Sequence, residues 1–256
     1  MSFFRSLAVA FSLFSRIPMP PVAWEPRNMR FVAACMPLVG VPLGALVAAW
    51  CGILAHAGAS PLLIALGPAL IPVAFSGGIH LDGFADVIDA QSSCADQTRK
   101  REILKDPHIG AFAAMGVAAY LLASFAFAGQ IAFDARTSAL AGLVYVMSRA
   151  TAGFAVASFP RSPEQGMLAR ERDFAAPSSK PILAALIAAA AASAIALSPV
   201  AGSLATAASL LLLARTKRFA EKNFGGMSGD IAGFHLCLCE LAYLACIAFS
   251  QLAGAA

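Results

Sequence analysis

Long apolar runs separated by short polar segments make up most of the chain. Runs of this length with few charged residues are typical of helices that cross a lipid bilayer. They predict seven membrane spans, near residues 34–57, 61–79, 110–132, 137–158, 181–198, 200–214 and 231–253, of which the sixth is the shortest. We therefore expect an all-α polytopic membrane protein in which residues 1–256 form a single integral membrane domain.

A further apolar run, from Phe3 to Phe14, is too short to cross a bilayer. Arginines lie within it and just after it, at Arg5 and Arg16, and it lacks the cleavage signal of a secretory peptide. We expect this N-terminal segment to form a helix that lies along the membrane interface or inserts part way.

Composition and charge support this topology. Hydrophobic residues make up 59% of the chain, charged residues only 12%, and the mean hydropathy is +0.76. All but two of the 18 Lys and Arg residues fall before the first span or in the segments after the second, fourth and sixth spans. The exceptions are Arg136 and Arg149. Because cytoplasmic loops collect Lys and Arg, we interpret the basic face as cytoplasmic, and the net charge of +4 suits contact with anionic lipid.

The most concentrated group of charged side chains follows the second span. Asp82, Asp86 and Asp89 lie there, and at about 100° per residue a helix would place all three carboxylates on one face. Carboxylates so close together repel one another, and a divalent cation relieves the repulsion. Oxygen ligands favour a hard ion such as Mg²⁺. A solvated acidic helix end is the alternative, but the preceding Gly77 and Gly78 and the membrane setting favour a site.

Two other loops on the basic face bring polar residues toward this segment. Lys105, Asp106 and His108 precede the third span, so we expect them to return to the membrane edge that carries the three aspartates. The alternative is that Asp106 serves only as a helix-start carboxylate. Asp230 follows a glycine-rich stretch before the last span, and it is either the N-cap of that helix or a ligand. We expect the Arg-rich loop at 159–180 to form a mobile cover.

Charged residues inside predicted spans call for a partner or a function, because an isolated charge in the membrane interior is costly. Arg149 lies in the fourth span and Glu240 in the last. Arg149 and His235 are the candidate partners of Glu240.

Several other chemistries find no support in the sequence. The six cysteines do not suggest a disulfide framework, since only Cys94 lies in a loop, and the pair Cys237 and Cys239 is a weak metal signal. No phosphate-binding Walker motif, Ser-His-Asp arrangement or zinc-ligand spacing occurs. Carboxylates, Mg²⁺ and basic loops on one face instead predict a Mg²⁺-dependent transferase or hydrolase that acts on a phosphorylated substrate at the cytoplasmic surface.

Five motifs resemble those of the cobalamin synthase (adenosylcobinamide-GDP ribazoletransferase) family in order and spacing. They are FSRIPMP at 14–20, PLVG at 37–40, GGIHLDGFADVIDA at 77–90, REILKDPHIG at 101–110 and GMSGDIAG at 226–233. The resemblance implies Mg²⁺-dependent transfer of the adenosylcobinamide phosphoryl group from adenosylcobinamide-GDP to a ribose hydroxyl of α-ribazole or its 5′-phosphate, releasing GMP. It implies a bacterial cytoplasmic (inner) membrane location, an active site facing the cytoplasm, membrane lipid and the two substrates as partners, and no nucleic acid. Homo-oligomerisation is left open.

We assign roles to individual residues at the positions that match these motifs and, for Arg149, because it is a charge inside a span. Metal ligands would be Asp82, Asp86, Asp89 and Asp106. Catalytic residues would be Asp82, Asp86, Lys105, Asp106 and His80, with His80 either a general base or a structural histidine. Cofactor-binding residues would be Arg101, Arg149 and Asp230.

Two other functions are considered beside this one. A CDP-alcohol phosphotransferase also carries aspartates on helices at the membrane edge, but its motif has an arginine and a spacing that the segment from Asp82 to Asp86 lacks. A cation transporter would place Arg149 and Glu240 along a continuous pore.

Overall fold

A computed structural model describes residues 2–163 and 176–254 of the chain. The regular elements in these residues are α-helices: α1 (Ser2–Phe14), α2 (Pro26–Met29), α3 (Val32–His56), α4 (Pro61–Ser76), α5 (Ile79–Ser92), α6 (Gln97–Ile103), α7 (Ala111–Gln130), α8 (Ala135–Ser158), α9 (Ser179–Leu197), α10 (Pro199–Phe224) and α11 (Gly229–Leu252). The part of the chain between residues 164 and 175, which includes Arg170 and Arg172 of the predicted cover, lies outside the described residues.

Six of these helices, α3 and α7 to α11, are long and apolar enough to cross a membrane. Five of them begin and end within two residues of the predicted spans. The helix at the sixth predicted span is longer than expected. Helix α10 continues through the basic residues from Arg215 to Lys222, ends at Phe224 and is followed by Gly225, whose φ is 75°. The prediction of an all-α polytopic membrane protein is confirmed.

The predicted second span is broken. Helix α4 ends at Ser76, and Gly77 and Gly78 follow with φ angles of 67° and 85°. Left-handed conformations of this kind suit glycine, which has no Cβ to clash with the backbone. Helix α5 leaves the break at 96° to α4, so it does not continue along the axis of the span. The break delivers the acidic segment to the rim of the bundle.

The N-terminal helix α1 packs along the beginning of α3. Val9 and Ala10 are buried in one apolar cluster with Val32 and Cys35, whereas Phe4 on α1 is 74% exposed. At the end of α1, Phe14 packs against Met36, Ala152 and Leu236 in the interior. The helix therefore has one packed side and one open side, and its last turn reaches the core.

Helices α8 and α11 form the buried centre of the bundle, while α7, α9 and α10 expose most of their surface. Small residues let α3 approach α8 closely. A Cβ added at Gly40 would collide with the carbonyl oxygen of Tyr145, and one added at Gly44 would collide with that of Gly142. Close backbone approach of this kind strengthens packing between membrane helices. The rigid centre that results supports α5 through α11.

Candidate active site

Helix α5 presents an acidic face to the exterior and an apolar face to the bundle. It is continuous from Ile79 to Ser92, so the spacing of the three aspartates places them on one face, as predicted. Asp82 is exposed, and Asp86 and Asp89 are half-buried. The residues behind them, Gly83, Phe84 and Val87, are buried.

Two glycines bring the backbones of α5 and α11 close together. A Cβ added at Gly83 would lie 2.8 Å from the Cα atom of Asp230, and one added at Gly233 would lie 2.8 Å from the carbonyl oxygen of His80. Asp230 is half-buried in the first turn of α11, beside the acidic face. The N-cap of α11 is Ser228, whose hydroxyl accepts a hydrogen bond from the Ile231 amide at 3.3 Å. The interpretation of Asp230 as the N-cap is therefore wrong.

The electrostatics of Asp86 reflect this crowding. Burial, followed by the charges of Asp82, Asp230 and Asp89, raises the pKa of Asp86 to about 7. Each of the three neighbours disfavours a negative charge on Asp86. The four carboxylates thus form a cluster whose mutual repulsion the neighbouring described residues do not fully offset.

Asp89 also ties α5 to the start of α7. Its carboxylate accepts hydrogen bonds from the backbone amides of Gly110 at 2.6 Å and Ala113 at 2.7 Å. These contacts satisfy amides that a helix N-terminus leaves unpaired. They also bring Gly110, at the end of the loop that contains Lys105, Asp106 and His108, to the helix that carries the aspartates.

Within that loop, Asp106 and His108 are exposed and paired with each other. The Nδ1 atom of His108 lies 2.7 Å from Oδ1 of Asp106, and the His108 amide donates to the same oxygen at 3.0 Å. These two hydrogen bonds lower the pKa of Asp106. Its carboxylate is therefore ionised and open to solvent, and the side chain of Lys105 is exposed as well.

The basic residues of α6 link the end of α5 to the end of α10. Lys100 is 6% exposed, and its Nζ donates hydrogen bonds to the amide oxygens of Gln91 and Asn223, each at 3.0 Å. Arg101 donates to the Phe224 carbonyl oxygen at 3.4 Å. The sequence does not predict the role of Lys100, because three consecutive cations give no sign of which one the fold buries.

His80 lies at the beginning of α5 and is 8% exposed. Its ring stacks on Phe14 with 5.9 Å between the ring centroids. The Nε2 atom has no hydrogen-bond partner among the described residues. A buried ring nitrogen without a partner is unusual. Burial, followed by the charge of Arg149, lowers the pKa of His80 to about 3, so the ring is neutral near pH 7.

The two charged residues of the membrane interior form a pair. Nη1 of Arg149 lies 2.8 Å from Oε1 of Glu240, and the two side chains are 1% and 5% exposed. The expectation that Arg149 is the partner of Glu240 is confirmed. His235 is not a partner, because its two ring nitrogens bond to Thr216 at 2.9 Å and Thr151 at 3.0 Å. A charge pair closed in this way gives no support to a transport path through Arg149 and Glu240.

The acidic cluster suits a hard cation whose coordination is completed by water and substrate phosphates. In residues 2–163 and 176–254, no three His, Cys, Asp or Glu side chains converge on one point as a complete metal site. Mg²⁺ in phosphate-binding sites commonly takes only one or two carboxylates, and water and substrate phosphates complete its shell. The repulsion at Asp86 and the all-oxygen donor set both fit such an ion.

Comparisons with known proteins agree on one family. The family model of cobalamin-5-phosphate synthase matches residues 6–248. An adenosylcobinamide-GDP ribazoletransferase of Lachnoclostridium phytofermentans is 35% identical over 245 residues, covering 94% of this chain and 92% of the relative. The proteins of the same name from Geobacillus kaustophilus and Geobacillus thermodenitrificans are 33% and 32% identical, each over 88% of both chains. No solved structure matches the chain.

Proposed function

The chain belongs to the cobalamin-5-phosphate synthase family of transferases, and we propose that it joins adenosylcobinamide to α-ribazole in cobalamin biosynthesis. The adenosylcobinamide phosphoryl group would pass from adenosylcobinamide-GDP to a ribose hydroxyl of α-ribazole or its 5′-phosphate, and GMP would leave. The observation that carries the proposal is the cluster of Asp82, Asp86, Asp89 and Asp230 on a membrane protein of this family.

We assign Mg²⁺ to this cluster. Asp82 and Asp86 would supply the first ligands, since Asp89 already accepts two backbone hydrogen bonds. Asp89 retains lone pairs and can complete the set. We assign the remaining ligand to Asp106, whose exposed carboxylate contacts His108. When bound, Mg²⁺ would neutralise the charge of the diphosphate oxygens and hold them in line for displacement.

The reaction forms one bond and breaks one. The ribose hydroxyl oxygen attacks the phosphorus that carries the adenosylcobinamide group, and the diphosphate P–O bond breaks so that GMP takes its electron pair. The hydroxyl proton must pass to a base. The candidates in this chain are Asp106, whose carboxylate is exposed and ionised, and His80, whose neutral ring has no partner for Nε2 among the described residues.

The cations would orient the substrate. We assign Lys105 and Arg101 to the phosphate oxygens, because both follow the acidic helix on the basic face. Arg149 would stabilise the helices that support the site and would not contact the substrate, because its guanidinium is buried against Glu240. The clustering of cations on this face supports a cytoplasmic site in a bacterial inner membrane.

The test is direct. Purified protein is incubated with adenosylcobinamide-GDP, α-ribazole phosphate and Mg²⁺, and the products are separated by chromatography. The expected result is a completed corrinoid and an equal amount of GMP, both lost in Asp86→Asn and retained in the control Glu25→Gln, which lies at the exposed start of α2. GMP release without a new corrinoid would indicate a hydrolase, and no turnover would overturn the proposal.

A further inference from the structure

The chain that follows α1 is fastened to the break between α4 and α5. The backbone amide of Arg16 donates a hydrogen bond to the Phe75 carbonyl oxygen at 2.7 Å. Two residues earlier, Phe14 stacks on His80. The segment from Phe14 to Arg16 therefore contacts both sides of the break, the last turn of α4 and the first turn of α5.

The side chain of Arg16 lies directly over Gly77. A Cβ added at Gly77 would overlap the Nε atom of Arg16 and would lie 2.8 Å from its guanidinium carbon. Gly77 thus has two functions: it adopts the positive φ of 67° that turns the chain, and it leaves room for the arginine. The guanidinium is held at the corner from which the acidic helix departs.

Among the described residues, Arg16 has no acidic partner. It is exposed, and no ion pair among the described residues involves it. Arg27 and Arg99, by contrast, pair with Glu25 at 2.7 Å and Glu102 at 2.8 Å. A guanidinium with a positioned stem and open N–H donors matches the paired oxygens of a phosphate group.

We propose that Arg16 binds the diphosphate group of the nucleotide substrate. The inference rests on the proposed function and adds a cation that neither the acidic cluster nor the basic loops had identified. Arg16 would contact the diphosphate from the α1 side, while the cation held by Asp82 and Asp86 would contact it from α5. The phosphate of a lipid headgroup offers the same chemistry, so the experiment must separate these two sources.

The experiment measures GDP binding and turnover in a maltoside detergent that contains no phosphate, with Mg²⁺ present. The variants are Arg16→Ala and Arg16→Lys, and the control is Arg27→Ala, which removes an exposed arginine of similar position near the N-terminus. Loss of a charge-assisted contact should raise the Kd for GDP and the KM for the nucleotide substrate about tenfold or more in Arg16→Ala. Added guanidinium ion should restore part of the turnover of Arg16→Ala, and Arg16→Lys should lie between the two.

The possible outcomes distinguish diphosphate binding by Arg16 from lipid binding and from a role in folding. Unchanged GDP binding in Arg16→Ala, together with weaker association with phosphatidylglycerol vesicles, would assign Arg16 to lipid and overturn the proposal. A loss that guanidinium does not rescue and that accompanies a lower unfolding temperature in both variants would assign Arg16 to folding, and it would overturn the proposal too. If the wild type binds GDP through Arg16 but makes no corrinoid, the proposed function fails and the diphosphate contact stands.

Discussion

Arg149 on α8 and Glu240 on α11 form an ion pair inside the bundle, with 2.8 Å between Nη1 and Oε1. Ser148 donates to the same carboxylate oxygen at 3.2 Å, and the Tyr120 hydroxyl lies 3.5 Å from the other. The pair joins the two most buried helices, and α11 in turn supports the acidic helix. Its integrity should therefore matter for both stability and activity.

Removing one charge of this pair should destabilise the protein strongly. Glu240→Gln leaves the Arg149 guanidinium buried without a counter-charge, which costs about 3–5 kcal/mol. The double variant Arg149→Met with Glu240→Met removes both charges and should lose less than either single variant. The measurement is thermal unfolding in detergent, with Arg136→Gln as an exposed control. Equal unfolding temperatures for wild type and Glu240→Gln would contradict this account.

Repulsion within the acidic cluster makes a second prediction. Without divalent cations, Asp86→Asn should unfold at a higher temperature than the wild type, because it removes one of four charges that repel one another. Mg²⁺ should then raise the unfolding temperature of the wild type but not that of the variant. Glu25→Gln serves as the control. A variant less stable than the wild type in chelator would argue against crowded carboxylates.

The hydropathy pattern predicted the membrane helices well, because a span is defined by length and apolarity alone. The regular spacing of Asp82, Asp86 and Asp89 likewise predicted one acidic helix face. The sequence did not predict which neighbouring helix each face packs against. Membrane helices such as α7 and α8 carry apolar residues all round, so their sequences do not reveal which side packs against which neighbour.

The close approach of α5 to α11 gives a third prediction. Gly83→Ala would place a methyl group 2.8 Å from the Cα atom of Asp230, so the helices must separate. Overpacking of this kind costs about 1–3 kcal/mol of folding free energy. Because the shift also displaces Asp230, turnover should fall even where the variant remains folded. The matched control is Gly129→Ala on α7, whose new methyl would meet only Ala65 at 3.7 Å. Normal turnover in Gly83→Ala would mean that this spacing is unimportant.

Lys100 provides a fourth prediction. Lys100→Met removes the ammonium group that joins Gln91 at the end of α5 to Asn223 at the end of α10. The two amide oxygens then lose their partner, which costs about 1–3 kcal/mol of folding free energy. Denaturant unfolding should detect this loss, whereas the exposed control Lys222→Met should change stability by less than about 0.5 kcal/mol. A loss no larger than that of the control would show that the bridge does not form in solution.

The features that the sequence did not predict share a physical cause. The contact of Arg16 with Gly77, the burial of Lys100 and the pairing of His235 with two threonines all depend on residues far apart in the chain. Each residue type is common at an exposed or an apolar position, so local pattern does not distinguish it. The packing of helices that are distant in the chain brings these groups together.

The central claim is that the acidic face of α5 holds a divalent cation against a diphosphate. Its most direct test is electron paramagnetic resonance of Mn²⁺, a hard ion that replaces Mg²⁺ at oxygen sites, titrated into the purified protein with and without GDP. Wild type should bind Mn²⁺, GDP should tighten the binding, and Asp82→Asn and Asp86→Asn should each weaken it about tenfold or more. Mn²⁺ binding that is equal in the wild type and both variants would contradict the claim.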